Sequence, residues 1–120
     1  MKYLVLMYAD PGATAAMTAE QRAEVFRRHD ALHAELAGTG EMLNGAGLGY
    51  PADTATLRWQ PDGPVAVADG PLVPAELHLT AYYVVACASA ERAREIAERV
   101  LDFHVVAVEV RPVHDSFGMG

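Results

Sequence analysis

Two side chains in this sequence, His29 and Asp69, have the chemistry of a general acid–base pair. An imidazole has an unperturbed pKa of about 6.5, and a neighbouring carboxylate can fix its tautomer for proton transfer. Each residue also has a structural interpretation. His29 shares an apolar helical stripe with Leu32, where a histidine is often a hydrogen-bonded core residue, and Asp69 precedes a Gly-Pro turn whose backbone it can bind. The sequence therefore predicts both residues as catalytic candidates and leaves both alternatives open.

Three further side chains, Tyr8, Tyr82 and Arg111, are candidates for binding a substrate. A phenol donates a hydrogen bond, and a guanidinium binds an anionic group. Tyr82 and Tyr83 are neighbours in a predicted strand, so they point to opposite faces and at most one of them lines a given pocket. Arg111 shares its strand parity with Glu109, and pairing of these two side chains is the commoner outcome. Tyr8 can likewise face a pocket or the core.

The histidines also raise the question of a metal. His29 and His33 are four residues apart on a predicted helix, which is the spacing of two ligands on one helical face. Asp30 and Glu35 are poorly spaced to complete a site with them. The sequence therefore predicts no metal site.

Signatures of nucleotide or nucleophilic chemistry are lacking. Gly45, Gly47 and Gly49 alternate without the following helix that a phosphate-binding loop requires. The sequence contains no Gly-x-Ser-x-Gly motif. Cys87 lies among apolar strand residues, where a thiol is more often inert than nucleophilic. No cofactor is predicted.

Composition restricts the partners and the compartment. The chain has 120 residues, a net charge of −7 and nine basic against sixteen acidic side chains. This balance argues against nucleic acid and against anionic membranes as partners. A single cysteine excludes an intrachain disulfide, and no apolar run approaches the roughly 18 residues of a membrane span. The apolar N-terminus, which lacks a cleavage site, is predicted to be a strand rather than a signal peptide, so a cytoplasmic protein is expected.

Hydrophobic periodicity and capping residues predict the elements that position these side chains. Thr18 and Gln21 fit a capping box that begins a helix, and Gly38 or Gly40 can end it. Ser89 caps a second helix. Strands are predicted at 3–8, from 41, at 77–87 and at 103–110, with a β-hairpin over 54–68.

The order β-α-β, hairpin, β-α-β predicts an α+β fold of the ferredoxin-like, split β-α-β type, an antiparallel sheet with two helices on one face and an inserted β-hairpin. Three strands are nevertheless apolar on both faces, and two helices cover only one face. We therefore expect a second protomer on the open face, which makes the protein a homodimer. One domain is predicted over 1–113, with a weakly ordered C-terminal tail over 114–120.

Several stretches, taken as an ordered set, resemble the YCII-related proteins of the DGPF type. They are the N-terminal strand, the helix with His29, Asp69-Gly70-Pro71-Leu72, the pair Tyr82-Tyr83 and the last strand. Leu72 replaces the Phe of the family's name. The resemblance implies a dimeric α+β barrel, in which two ferredoxin-like sheets pack face to face.

The resemblance implies two kinds of function. Some relatives are dehalogenase-like or lactone-isomerase-like enzymes, and a His with an Asp serves as the site in related YCII proteins. On that basis we expect small-molecule binding and a cofactor-independent isomerase, lyase or hydrolase, with His29 as base, Asp69 as its partner, and Tyr82 or Tyr8 as hydrogen-bond donor. The alternative is a non-enzymatic ligand-binding or interaction module linked to transcriptional regulation, since some relatives are associated with sigma factors.

Overall fold

The computed structural model of the protein describes residues 1–73, 75–115 and 117. Within those residues the chain forms six strands, three α-helices and a short 3-10 helix at Pro51–Asp53. In chain order the elements are β1 (Lys2–Ala9), α1 (Pro11–Ala15), α2 (Ala19–Thr39), β2 (Met42–Gly47), β3 (Ala55–Arg58), β4 (Ala66–Asp69), β5 (His78–Ala86), α3 (Ala90–Glu98) and β6 (Val105–Pro112).

The main sheet has the strand order β2-β5-β1-β6, and all its neighbouring pairs are antiparallel. Helices α2 and α3 pack on the same face of this sheet, where they share one hydrophobic core with β1, β5 and β6. Strands β3 and β4 follow β2 and precede β5 in the chain, and they form a separate two-stranded sheet. The predicted ferredoxin-like α+β fold with an inserted hairpin is confirmed.

The predicted caps fix the ends of the long helix α2. The Thr18 hydroxyl accepts the Gln21 N–H at 3.0 Å, and the Gln21 side chain accepts the Thr18 N–H at 2.9 Å. The helix ends at Gly40, whose φ of 79° is left-handed. The sequence left Gly38 and Gly40 as alternatives, and the structure selects Gly40 because a left-handed residue closes the helix there.

One short helix was not expected. The sequence analysis predicts no element between the strand at 3–8 and the helix that begins at Thr18, but Pro11–Ala15 forms α1. The Asp10 carboxylate accepts the N–H of Gly12 at 2.9 Å, and Pro11 occupies the first turn, where its missing N–H costs nothing. A local cap therefore gives helical structure to a segment whose small residues carry no amphipathic pattern.

The two faces of the main sheet differ in cover. On β1, Tyr3, Val5 and Met7 are buried under the helices, whereas Leu4 and Leu6 on the other face are only half-buried. We call this second side, which lies opposite the one that α2 and α3 cover, the open face. The structure is of one protomer, so the predicted dimer and its barrel stay a prediction.

The proposed domain end also remains a prediction. Ser116 and residues 118–120 of the expected tail lie outside the described residues, as does Pro74. Among the described residues, none of the helices combines the length and hydropathy that a membrane-spanning segment needs.

Candidate functional site

A cavity of about 400 Å³ lies between α2 and the helix-covered face of the sheet. Its helical wall comes from the middle of α2, where Val25 and His29 are half-buried and Phe26, Asp30 and His33 are exposed. Its floor comes from β1, β2, β5 and the start of β6. The lining residues are Met7, Val25, Phe26, His29, Asp30, His33, Gly45, Ala46, Gly47, Thr80, Ala81, Tyr83, His104 and Val105.

The central polar contact of this cavity joins His29 to Tyr83. Nδ1 of His29 lies 2.8 Å from the hydroxyl oxygen of Tyr83, and the rings meet edge to face with an interplanar angle of 83°. His29 is half-buried, and Tyr83 is 7% exposed. His33, one turn further along α2, tilts against the same tyrosine ring at 5.9 Å. The pair is therefore held by a helix on one side and by a central strand on the other.

Electrostatics keep both members of the pair uncharged at neutral pH. Burial lowers the pKa of His29; the nearby carboxylate of Asp102 acts in the opposite direction and does not overcome it. Burial also raises the pKa of Tyr83, so its phenol retains the proton. A neutral imidazole has one nitrogen free to accept a proton, and a phenol can accept from Nδ1 while donating elsewhere. The arrangement can therefore move a proton and donate a hydrogen bond at neighbouring positions.

A buried carboxylate–imidazole contact lies beside this pair. Oδ1 of Asp102 accepts the backbone N–H groups of His104 and Val105 at 2.8 and 2.7 Å, which fixes the entry into β6. Nδ1 of His104 approaches the same oxygen to 2.7 Å but has no hydrogen bond in the described part of the chain. The Asp102 oxygen is already occupied by the two backbone donors.

Gly45 provides the space for the tyrosine ring. A Cβ at this position would lie 2.7 Å from Cδ1 of Tyr83 and 3.0 Å from the backbone oxygen of Tyr82. Such distances require displacement of the neighbouring atoms, and one of these atoms belongs to the backbone. The glycine of β2 is thus a condition for the position of Tyr83, whereas Gly47, with open space around it, is not.

The other predicted site residues lie elsewhere. Asp69 ends β4 on the hairpin and does not line this cavity. The predicted His29–Asp69 pairing therefore stays a prediction, and within the protomer the hydrogen-bond partner of the His29 ring is Tyr83.

Tyr8, Tyr82 and Arg111 belong to the open face. The Tyr8 hydroxyl donates to Glu109 at 2.5 Å, and Arg111 donates to the same carboxylate at 3.0 Å. The Glu109–Arg111 pairing that the sequence favoured is present, so this guanidinium already has an anionic partner. Tyr82 lies between Leu6 and Ala46 in the sheet, on the side opposite Tyr83. None of the three lines the cavity of His29.

Metal chemistry finds no support in the described residues. There, no three histidine, cysteine, aspartate or glutamate side chains are grouped so that they could hold an ion. His29 and His33 both reach the cavity, but His29 is engaged with Tyr83.

Comparison with known proteins places the chain in a family. The YCII-related domain matches residues 1–115. An uncharacterised protein of Rhizobium meliloti (strain 1021) is 30% identical over 115 residues, which cover 94% of this chain and 92% of that protein. The narrower DGPF type suggested by Asp69-Gly70-Pro71-Leu72 stays a prediction. The chain belongs to the YCII-related family.

Proposed function

We propose that this protein binds a small polar molecule in the cavity between α2 and the sheet, and that His29 and Tyr83 act on it as a cofactor-independent acid–base pair. The observation that carries the proposal is the 2.8 Å contact between His29 Nδ1 and the Tyr83 hydroxyl at the wall of a cavity of about 400 Å³. Ligand sites commonly measure about 300–1,000 Å³ and combine apolar walls with a few polar groups.

The tautomer of His29 decides the chemistry. If Nδ1–H donates to the Tyr83 oxygen, Nε2 carries the lone pair and the Tyr83 O–H is available to the ligand. Nε2 then takes a proton from a carbon next to a carbonyl group, while the phenol stabilises the oxygen on which negative charge develops. The imidazolium returns the proton to another atom of the same molecule. This favours an isomerase or a lyase over a hydrolase, since no water need be activated.

The same contact favours one competing function. His29 and Tyr83 satisfy each other's hydrogen bonds, and Tyr83 is almost fully buried. A pair of this kind can shape a cavity that binds a ligand without transforming it. In that case the protein is a ligand-binding or interaction module. Its resemblance to the DGPF type suggests that such a module has a regulatory role in transcription.

The proposal includes the assembly and the compartment. Two copies pack their open faces together as a homodimer, because Leu4, Leu6 and Tyr82 leave apolar surface there that α2 and α3 do not cover. A single cysteine, buried in the fold, supports a reducing compartment such as the cytoplasm.

A ligand screen with matched variants tests the site. Small carbonyl compounds and carboxylates are screened by thermal shift, since a ligand that binds the native state raises the apparent stability. We expect His29→Gln to weaken binding of any hit by about tenfold or more, which equals about 1.4 kcal/mol. Tyr83→Phe should weaken it similarly, while His114→Gln, at a histidine whose side chain is 97% exposed, should leave it unchanged.

The pH profile separates chemistry from packing. A lowered pKa keeps His29 neutral above about pH 6.5, so binding and turnover should stay constant there and decline only as the pH falls further. If His29→Gln instead lowers stability by about 1–3 kcal/mol through an unsatisfied Tyr83, with ligand affinity intact, His29 is structural and the proposed role is wrong.

A further inference from the structure

A second cavity, of about 820 Å³, lies at the base of the β3–β4 hairpin, and we call it the larger chamber. None of its described lining residues lines the cavity of His29. Leu48, Leu77 and Leu79 line it from the main sheet and its flanks, so much of its wall is apolar. Its volume falls in the range of about 300–1,000 Å³ that is common for ligand sites.

The turn at 69–72 forms one wall of the larger chamber. Gly70 has a φ of 100°, which glycine adopts at little cost. The Gly70 N–H donates to the Thr54 carbonyl at 2.7 Å, and the Gly70 carbonyl accepts the Thr56 hydroxyl at 2.7 Å. These hydrogen bonds fix the turn against the hairpin. The residues that follow, among them Leu72, are thereby held at the chamber.

A smaller chamber, of about 320 Å³, adjoins the larger one, and the two share Tyr50, Pro51 and His78 as lining residues. The other walls of the smaller chamber come from α1 and from Arg22 of α2. Within the described residues, the Arg22 guanidinium has no hydrogen bond or ion pair. The two chambers therefore form one cleft with an apolar end and an unpaired cation at the other end.

His78 lies where the two chambers meet. Because the pairing of β1 with β5 shifts register, Leu79 lies opposite Tyr8 and His78 lies opposite Ala9. Ala9 is buried and continues the helix-covered side of β1, so His78 projects to that side and Leu79 to the open face. Nδ1 of His78 is buried without a hydrogen-bond partner in the described part of the chain, so only Nε2 can meet a bound molecule.

The charges along the cleft indicate the chemistry of its ligand. A carboxylate beside Arg22 can accept two parallel hydrogen bonds from the guanidinium, and Nε2 of His78, when it carries the proton, donates to the same group. Asp53 lines the larger chamber and repels an anionic group there. An apolar body in that chamber gains about fourfold in affinity for each CH₂ group that it buries.

Other occupants fit the cleft less well. A neutral apolar molecule would leave Arg22 without a partner, and a cation would be repelled by it. The open face of a second copy would border Tyr8 and Leu79 in the larger chamber. Arg22, however, belongs to α2, which lies on the opposite side of the sheet.

We propose that the two chambers form a binding site for an amphipathic monocarboxylate, an acid with an unbranched alkyl or aryl body. Its carboxylate binds Arg22 and His78 in the smaller chamber, and its body lies against Leu72 in the larger chamber. This site is separate from the cavity of His29 and Tyr83 and does not rest on the function proposed for that cavity.

Octanoate tests the anionic end by isothermal titration calorimetry on the full-length protein. We expect one octanoate to bind per chain. Acetate, which lacks the body, and 1-octanol, which lacks the charge, should each bind about tenfold more weakly or less. Arg22→Gln should weaken octanoate binding by about tenfold or more. Arg94→Gln, at an exposed arginine of α3 that is not a lining residue of either chamber, should leave it unchanged.

The apolar end has its own matched variants. Leu72 is 56% exposed and Leu57 is 63% exposed, so a serine at either position should preserve the fold, which circular dichroism checks. Leu72→Ser should weaken octanoate binding severalfold, whereas Leu57→Ser, away from the lining residues, should not. Decanoate should bind the wild type roughly tenfold more tightly than octanoate, because two more CH₂ groups are buried.

Three results would overturn the proposal. The first is a folded protein that does not bind octanoate, or binds it equally well after Arg22→Gln and Leu72→Ser. The second is binding that His29→Gln removes and Arg22→Gln preserves, which would locate octanoate in the cavity of His29 and leave the function proposed there standing. The third is an affinity that falls as the protein concentration rises, which would make a second copy the occupant of the larger chamber.

Discussion

At the residue scale the position of Tyr83 depends on a residue that has no side chain. Gly45 leaves the room in which the tyrosine ring reaches His29, because a Cβ there would stand 2.7 Å from the ring. Gly47 lies two residues further along the same edge strand and lines the same cavity, yet a Cβ there would meet nothing within 4 Å. Substitution of Gly47 is therefore a matched control for substitution of Gly45.

Gly45→Ala should lower the free energy of unfolding by about 1–3 kcal/mol, since overpacking forces the ring or the backbone to shift. It should also weaken binding of any ligand found, because the Tyr83 hydroxyl moves. Gly47→Ala should be neutral or stabilising by up to about 1 kcal/mol, through a less flexible unfolded chain. Urea unfolding of both variants measures this. Equal effects of the two substitutions would contradict the assigned role of Gly45.

The sequence predicted part of this site. The helical stripe that Val25 and Leu32 define placed His29 inward, and the structure brings His29 to the cavity. It did not select Tyr83 over Tyr82, because β5 is apolar on both parities and strand alternation gives no sign of which side the helices cover. The structure shows which side that is, because Tyr83 lies opposite Val5, a core residue, in the sheet.

At the element scale one ion pair connects α3 to the junction between α2 and β2. Nε and Nη2 of Arg92 donate to the two carboxylate oxygens of Glu41, both at 2.9 Å. The Thr39 hydroxyl donates to the same carboxylate at 2.8 Å. These hydrogen bonds, chiefly that of Arg92, lower the pKa of Glu41 to about 2. A bidentate pair of this kind fixes geometry as well as adding energy.

Arg92→Met should therefore lower the free energy of unfolding by about 1 kcal/mol at pH 7. Glu41 has a lower pKa in the folded than in the unfolded chain, so its contribution is present above about pH 4.5 and is lost as the pH falls towards about 2. The difference between variant and wild type should shrink over that interval.

The control for this prediction is Arg27→Met. Arg27 pairs with Glu24 within one turn of α2, where both side chains are more than half exposed, so its loss should cost less than about 0.5 kcal/mol. Chemical denaturation between pH 2 and pH 7 compares the two variants. If both lose the same stability at pH 7, the Arg92–Glu41 contact adds no more than a surface pair.

Elements were predicted well where the chain carries its own local signals. Thr18 with Gln21, and Ser89, whose Oγ accepts the Arg92 N–H at 3.1 Å, cap helices as expected. Helix α1 was missed because its stability depends on the Asp10 carboxylate and not on an apolar pattern. Capping by the Asp10 carboxylate can be predicted from the sequence only when the backbone geometry of the turn is known.

At the scale of the whole molecule the order of elements was sufficient to predict the topology. The chain alternates strands and helices, with a hairpin between its two halves. Few sheet topologies connect elements in that order without crossing or knotted connections. What one sequence cannot give is the partner of a surface, because an interface depends on two chains whose patches must match. The two-sided apolar pattern of β1 therefore predicted that something covers Leu4 and Leu6 without fixing the geometry.

A charge placed at the centre of the open face tests the proposed homodimer. Leu6 lies between Tyr82 and Glu109 in the sheet and is half-buried, so a lysine there can reach water in a single protomer. Between two packed sheets the same ammonium would be desolvated at a cost of several kcal/mol. Leu6→Lys should thus leave the fold intact and shift the protein from dimer to monomer at micromolar concentration.

The matched control is Ala31→Lys, which adds the same charge at an exposed position on α2, away from the open face. Light scattering over a range of concentrations should find the wild type and Ala31→Lys dimeric and Leu6→Lys monomeric, with identical circular dichroism. A Leu6→Lys protein that stays dimeric would place the interface on another surface and leave the apolar residues of β1 unexplained.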